Sequence, residues 1–128
     1  MRTRYTVTLA MLTGFGLGAV AVQGLHAQAK PPVYYVGEIE PTNLDAYTKE
    51  YAPKAQAVIK AAGGRFLAAG QKVTAIEGDP PKPRVAIIAW DSMEQIQAWR
   101  NSAAFKELLP TRETMAKFRA FTVEGVPQ

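Results

Sequence analysis

The order of strand-like and helix-like segments constrains the fold of this chain more than any other feature. Residues 33–40 (VYYVGEIE) are β-branched and aromatic, which predicts a strand. From Leu44 to Ala62, apolar residues recur every three or four positions, which predicts the apolar face of a helix. Gly63 and Gly64 follow directly, and glycine often ends a helix because it accepts a left-handed backbone. The domain therefore begins with a strand and one long helix.

Strand-like runs follow this helix. They cover residues 65–70, 72–78 and 84–90. The connection at Gly70-Gln71 is so short that the first two runs are expected to form an antiparallel hairpin. The last run (RVAIIAW) is the most hydrophobic, so we place that strand in the centre of the sheet.

A second helix and a last strand complete the pattern. Asp91 or Ser92 is suited to cap the helix, and residues 119–125 form the last predicted strand. The order is β-α-β-β-α-β, the split βαβ arrangement of ferredoxin-like folds. Right-handed crossovers place both helices on one face of a sheet of about four or five strands. The predicted fold class is α+β, a ferredoxin-like sandwich with a broken second helix.

Both predicted helices contain residues that interrupt a regular helix. Thr42 is expected to cap the first helix, and Pro53 should distort it because proline lacks a backbone N–H. In the second helix, Ser102 is expected to cap a new segment, and Asn101 to adopt the left-handed end of the previous one. Pro110 is expected to interrupt the helix again.

The sheet should expose a second apolar face. Alternate positions of the first strand carry Tyr35 and Ile39 in one row and Tyr34 and Val36 in the other, so neither row is wholly polar. With both helices on one side, the other side needs a partner to exclude water. A second copy is the most economical partner, so we expect an isologous homodimer.

Residues 1–29 have the organisation of a secretory signal peptide. A basic start precedes an uncharged run over 5–22, and the Ala-Gln-Ala sequence at 27–29 offers a cleavage site. We therefore expect a leader, 1–29, and one domain, 30–128, exported to the periplasm or outside the cell. Cleavage leaves no stable membrane anchor. The alternative is an uncleaved anchor, since the uncharged run approaches the roughly 20 residues that span a bilayer.

The expected mature domain lacks the usual residues of metal and nucleophilic chemistry. The only histidine, His26, lies in the leader, and the chain has no cysteine. A Cys or His zinc site and a Ser-His-Asp mechanism are thereby excluded, and a haem ligand is hard to find. The net charge is +4, of which Arg2 and Arg4 contribute half, and no basic stripe indicates a nucleic-acid partner. We expect neither a metal nor a cofactor.

From Tyr34 to Gly125 the chain resembles a bacterial family, the domain of unknown function numbered 1330. The resemblance rests on the order and spacing of several stretches: VGEIE, YTKEYAPKA, GGRFLAAG, PRVAIIAWDSMEQIQAWRNS, LLPTRE and VEG. The family belongs to the dimeric α/β-barrel superfamily, so the resemblance implies a homodimer whose two sheets face each other. Relatives in the superfamily include monooxygenases, lactone isomerases and proteins with no known reaction, so the resemblance implies no activity.

Several charged and aromatic side chains are candidates for a functional site. The candidate catalytic residues are Glu38, Glu77 and Arg84, and the candidate ligand-binding residues are Tyr47, Tyr51, Arg65, Trp99, Asn101 and Arg112. A carboxylate can act as a base without histidine, and an arginine can hold a carboxylate bidentately. Each candidate also has a structural interpretation: the charges as rim salt bridges or solvated groups, the aromatic residues as core, and Asn101 as a helix end.

The favoured prediction is an exported, cofactor-free homodimer that binds a small organic ligand or only associates with itself. The alternative is a cofactor-independent monooxygenase or isomerase that acts on an activated ring. In that alternative Glu38 and Glu77 supply acid–base groups and Arg84 holds an anion. The sequence leaves open whether any reaction is catalysed.

Overall fold

The computed structural model describes residues 30–128, and its compact part runs from Pro32 to Gly125. The strands are β1 (Val33–Pro41), β2 (Arg65–Gly70), β3 (Arg84–Trp90) and β4 (Ala116–Glu124). The helices are α1 (Leu44–Ala46), which continues through a π-helical segment (Tyr47–Tyr51) into α2 (Ala52–Ala61), then α3 (Met93–Asn101) and α4 (Ala103–Met115). The four strands form one antiparallel sheet in the order β2-β3-β1-β4. The ferredoxin-like α+β class is confirmed, with β3 in the sheet centre as predicted.

The first helix is irregular where the sequence predicted a distortion. Pro53 lies at the start of α2, and the π-helical segment directly precedes it. Because proline cannot donate to the preceding turn and crowds it, a wider turn at that point relieves the contact. Thr42 is not the cap: the side chain of Asn43 accepts from the backbone N–H of Ala46 at 3.1 Å. The helical region ends at Gly63, whose φ of +105° only glycine adopts readily.

Ser102 separates α3 from α4, as predicted. Its hydroxyl donates to the carbonyl of Trp99 at 2.7 Å and accepts from the N–H of Phe105 at 3.2 Å. The left-handed conformation expected at Asn101 is wrong, because only glycines have positive φ among the described residues and Asn101 is still helical. The interruption expected at Pro110 is also wrong, since α4 continues through it. Pro110 is exposed, so water can satisfy the carbonyl that proline leaves unbonded.

The strand predicted over 72–78 is wrong, and so is the tight turn at Gly70-Gln71. Residues 71–83 form a connection without a helix or strand, and β2 pairs with β3 instead. β3 is apolar in both rows and gains from burial in the sheet, whereas the more polar residues 72–78 stay exposed and do not pair with the outer edge of β2. The last strand also begins at Ala116, before its predicted start.

The helices pack on one face of the sheet, where two apolar clusters form the core. The first cluster surrounds Trp90 and Trp99, whose rings stack with their centroids 5.0 Å apart. The second surrounds Tyr47, Tyr51 and Met115. The four aromatic residues are therefore buried, in agreement with their structural interpretation.

The opposite face of the sheet carries no helix of the described chain. Its row includes Val36 of β1, which lies directly opposite Phe121 of β4. Phe121 is 47% exposed, and Val123 in the same row is 54% exposed. The residues that the structure describes thus leave an apolar surface uncovered, as the sequence predicted. Within residues 30–128, no helix has both the length and the apolar character required to cross a membrane.

Candidate functional site

A row of small residues crosses the helix-facing side of the sheet. Each strand contributes one member in register: Ala69 of β2, Ala86 of β3, Gly37 of β1 and Ala120 of β4. Larger side chains on either side of the row fill the two core clusters. The row itself leaves space beneath the helices, and the result is a cavity of about 160 Å³.

The walls of this cavity are largely aromatic. The rings that line it belong to Tyr35, Tyr47, Tyr51, Phe66, Trp99, Phe105 and Phe118. Trp99 meets Tyr35 and Phe105 edge to face, with centroid distances of 5.2 and 5.1 Å. Tyr51 meets Phe118 in the same way at 5.7 Å. Because these contacts fix the rings against one another, the cavity is preformed.

Three arginines lie against these rings. The guanidinium carbon is 3.7 Å from the ring centroid for Arg112 over Phe118, 4.4 Å for Arg100 over Phe105 and 5.4 Å for Arg84 over Tyr47. Within the described part of the chain, none of the three arginines forms an ion pair with a carboxylate. No Asp or Glu of residues 30–128 lines the cavity either. The cavity is therefore electropositive and favours an anion.

Two buried N–H groups at the cavity have no hydrogen-bond acceptor among the residues that the structure describes. They are Nε1 of Trp99 and Nε of Arg112, and both side chains line the cavity. An unpaired buried donor costs about 1–3 kcal/mol, and because each of these nitrogens has almost no accessible area, it lies behind the cavity surface. Gln56 is the one amide side chain among the described lining residues. The site is thus rich in donors and has no carboxylate acceptor among the described lining residues.

Tyr47 and Tyr51 add neutral hydroxyl groups to the same walls. Burial raises the pKa of the Tyr47 hydroxyl above its ordinary value of 10.0, and the charge of Arg84 acts in the opposite direction. Burial likewise raises the pKa of Tyr51, opposed by the charge of Arg112. Both phenols are therefore protonated at neutral pH and do not act as bases, and each phenol oxygen lies where it can accept from its neighbouring arginine, Arg84 or Arg112.

The structure brings five of the candidate residues together around this cavity. They are Tyr47, Tyr51, Arg84, Trp99 and Arg112. The other candidates lie elsewhere. Arg65 pairs with Asp91 at 3.0 Å on the surface, Asn101 is exposed at the end of α3, and Glu77 is exposed in the connection 71–83.

Glu38 lies in the row that faces away from the cavity. It is only 7% exposed, and its carboxylate accepts from the N–H of Lys82 at 3.0 Å and lies 3.4 Å from Nε of Arg119. These contacts tie the connection 71–83 to the sheet. Glu38 and Arg84 both border an open depression beside that connection, whereas Glu77 does not. Among residues 30–128, no group of acidic, His or Cys side chains is arranged to hold a metal ion.

Sequence reasoning missed the row of small residues that opens the cavity. Gly37 carried a signal, because a glycine inside a strand often marks a place where another group approaches closely. Ala86 and Ala120 carried none, since their position beside Gly37 depends on the register of three strands. Phe118 and Arg100 were likewise not identified, although both line the cavity.

Comparison with known proteins identifies the family. Residues 32–126 match the family described as Domain of unknown function (DUF1330). The chain belongs to this family, as the resemblance in its sequence indicated. No curated protein gives a significant match.

Several solved structures share the fold. A protein of unknown function from Rhodopseudomonas palustris is 14% identical with a TM-score of 0.63, over 77% of this chain and 85% of that one. SnoaB, a cofactor-independent oxygenase from Streptomyces nogalater, is 12% identical with a TM-score of 0.57, over 77% of this chain and 96% of that one. HapK from Hahella chejuensis is 11% identical with a TM-score of 0.52, over 75% of this chain and 94% of that one. Likeness at these identities shows the fold alone.

Proposed function

We propose that this member of the family is a homodimeric domain that binds a small organic ligand between its sheet and its helices. The observation that carries the proposal is the preformed cavity of about 160 Å³, walled by aromatic rings and by arginines of which three form no ion pair within the described residues. Ligand sites are typically concave and mostly apolar, with a few well-placed polar groups. In a core with only a structural role, side chains would be expected to fill such a space, because close packing stabilises the folded state.

A cavity-filling variant tests the ligand site. A Cβ atom at Gly37 would meet only Cε1 of Tyr35 at 3.6 Å and the carbonyl oxygen of Ala86 at 4.0 Å, so Gly37→Val places methyl groups in open space. Protein from the full chain is screened with small organic compounds by thermal shift. Compounds that stabilise the wild type should not stabilise Gly37→Val, but should stabilise Ala68→Val, which lies in the opposite row. Equal stabilisation of Gly37→Val would refute the proposed site.

The homodimer is proposed from the uncovered sheet face. Phe121 and Val123 leave an apolar surface that a second copy can cover by isologous pairing, and the fold is shared with dimeric α/β barrels. Light scattering should report a dimer at micromolar concentration. Phe121→Lys should give a monomer because a buried unpaired charge is costly. Ala57→Lys, exposed on α2, should remain dimeric. A well-folded wild-type monomer would contradict the proposal.

Export is proposed from the leader, 1–29, which lies outside the described residues. Its uncharged run and Ala-Gln-Ala sequence support cleavage before Lys30. Intact-mass analysis of the protein from its native host should show a chain that begins at or near Lys30. A membrane-bound species that retains Met1 would overturn this proposal.

Cofactor-independent oxygenase or isomerase chemistry on an activated ring is a second candidate. It is supported by the fold shared with SnoaB and by the depression that Glu38 and Arg84 both border. The contacts of Glu38 with Lys82 and Arg119 equally suit a structural ion pair. Turnover that disappears in Glu38→Gln while stability is kept would support an enzyme. Binding without turnover in the wild type would support the binding function.

A further inference from the structure

We infer that the ligand is a single-ring aromatic carboxylate whose carboxylate group is held by Arg112. This inference rests on the proposed ligand-binding function and assigns a chemical class to the occupant of the same cavity. Three properties of the cavity support it: its size, the arginines in its walls that form no ion pair, and the absence of a carboxylate among its described lining residues.

The size of the cavity fits one aromatic ring. Its volume is about 160 Å³, close to the ~150 Å³ of an engineered apolar protein cavity that accepts benzene. The surrounding rings present both faces and edges, so a planar ring can stack or meet them edge to face. A single ring with one substituent therefore matches the space and its walls.

Arg112 is the cation best placed to hold an anion. Its guanidinium carbon lies 3.7 Å from the ring centroid of Phe118, and within the described residues it forms no ion pair with a carboxylate. One N–H group approaches the Tyr51 hydroxyl within hydrogen-bond range, and stacking on a ring leaves the remaining in-plane N–H groups to match the two oxygens of a carboxylate. By contrast, Arg84 already donates to the side chain of Gln71 at 3.0 Å, and Arg119 pairs with Glu38. Arg100 lies farther from its ring, at 4.4 Å from the centroid of Phe105.

Other classes of ligand fit these walls less well. A polyol usually needs several polar partners, and most of the described lining side chains are aromatic or aliphatic, with Gln56 and three phenol oxygens as the side-chain acceptors. A cationic ligand is repelled by the unpaired arginines. A neutral ring leaves the positive charge of the lining arginines without a counter-ion. A carboxylate supplies the opposite charge and accepts from guanidinium N–H groups.

Benzoate and benzamide test the inference on wild-type protein from the full chain, because they share size and shape but differ in charge. Trp99 lines the cavity and stacks on Trp90, and these are the two tryptophans of the chain. Tryptophan fluorescence therefore reports occupation of the cavity. Benzoate should bind at least about tenfold more tightly than benzamide, because it forms charge-assisted hydrogen bonds. Acetate, which lacks the ring, should also bind more weakly than benzoate.

A pair of arginine variants assigns the carboxylate to its partner. Arg112→Gln should reduce the affinity for benzoate to that for benzamide, and Arg112→Lys should recover it only in part because lysine has no planar fork. Arg65→Gln is the matched control, since Arg65 pairs with Asp91 away from the cavity and its loss should leave the affinity unchanged. The benzoate and benzamide comparison needs no variant and stands even if Arg112→Gln does not fold.

The outcomes separate this inference from the proposed function. Equal affinities for benzoate and benzamide, or failure of benzoate to bind while another screened compound does, would overturn the carboxylate class and leave the ligand site intact. Unchanged benzoate binding by folded Arg112→Gln would overturn the role of Arg112. No binding by any compound in the screen would overturn the proposed function together with the inference.

Discussion

Gly64 offers a sharp test of how tightly the core is packed beside the cavity. A Cβ atom at this buried position would lie 2.6 Å from Cγ2 of Ile59, 2.9 Å from Cζ2 of Trp90 and 3.1 Å from Cγ2 of Ile88. Trp90 is fully buried and cannot move aside. Overpacking of this kind costs about 1–3 kcal/mol, and three simultaneous contacts place Gly64→Ala in the upper half of that range.

Gly37→Ala is the matched control, because its Cβ would meet its neighbours only at ordinary contact distances of 3.6 and 4.0 Å. Gly37→Ala should leave the free energy of unfolding unchanged or raise it by at most about 0.4–1 kcal/mol, because alanine reduces the conformational freedom of the unfolded chain. The two variants should therefore differ by about 2 kcal/mol or more, or about 8–16 °C in melting temperature for a domain of this size. Denaturant melts at equal protein concentration measure the difference. A Gly64→Ala variant as stable as Gly37→Ala would refute the packing described around Trp90.

Three further predictions concern the helix break and the buried tyrosines. Ser102→Ala should lower the free energy of unfolding by about 1–2 kcal/mol in urea melts, because its hydroxyl caps both α3 and α4, and Ser102→Gly should cost less; an unchanged midpoint would contradict this role. Asn101→Gly should cost roughly 0.3 kcal/mol, since Asn101 is helical; a stabilised variant would favour the left-handed hypothesis. Because burial raises the pKa of Tyr47 and Tyr51, their contribution to stability is full below pH 10.0 and is lost as pH rises through the folded-state pKa. Melting temperatures should fall less steeply above that pH in Tyr51→Phe, and an identical slope would argue against burial of the hydroxyl.

The order of the strands and helices could be predicted from the sequence because it depends on local patterns of residues. The aromatic and β-branched run of β1, the helical repeat before Gly63 and the capping hydroxyl of Ser102 each act within a few residues. The strand expected over 72–78 failed for a different reason. The neighbouring residues 72–78 stay exposed, whereas β3, farther along the chain, pairs with β2 through apolar residues that only the assembled sheet buries.

The candidate site was predictable in part. Sequence reasoning identified five residues of the cavity, but as separate candidates: Tyr47, Tyr51, Arg84, Trp99 and Arg112. The cavity arises from the register that sets one small residue of every strand side by side, and no single segment shows that register. The sequence thus shows which residues have the chemistry for a site, whereas only the folded structure shows which of them lie close together.

The most direct test of the ligand site is a map of backbone amide chemical shifts recorded while a compound from the screen is added. We predict the largest changes at residues that line the cavity, among them Gly37, Tyr51 and Phe118. Little change is expected at Val123 on the opposite sheet face or at Ile76, which is exposed in the connection after β2. Largest changes at Val123 and its neighbours, with Gly37 and Tyr51 unperturbed, would contradict a ligand site between the sheet and the helices.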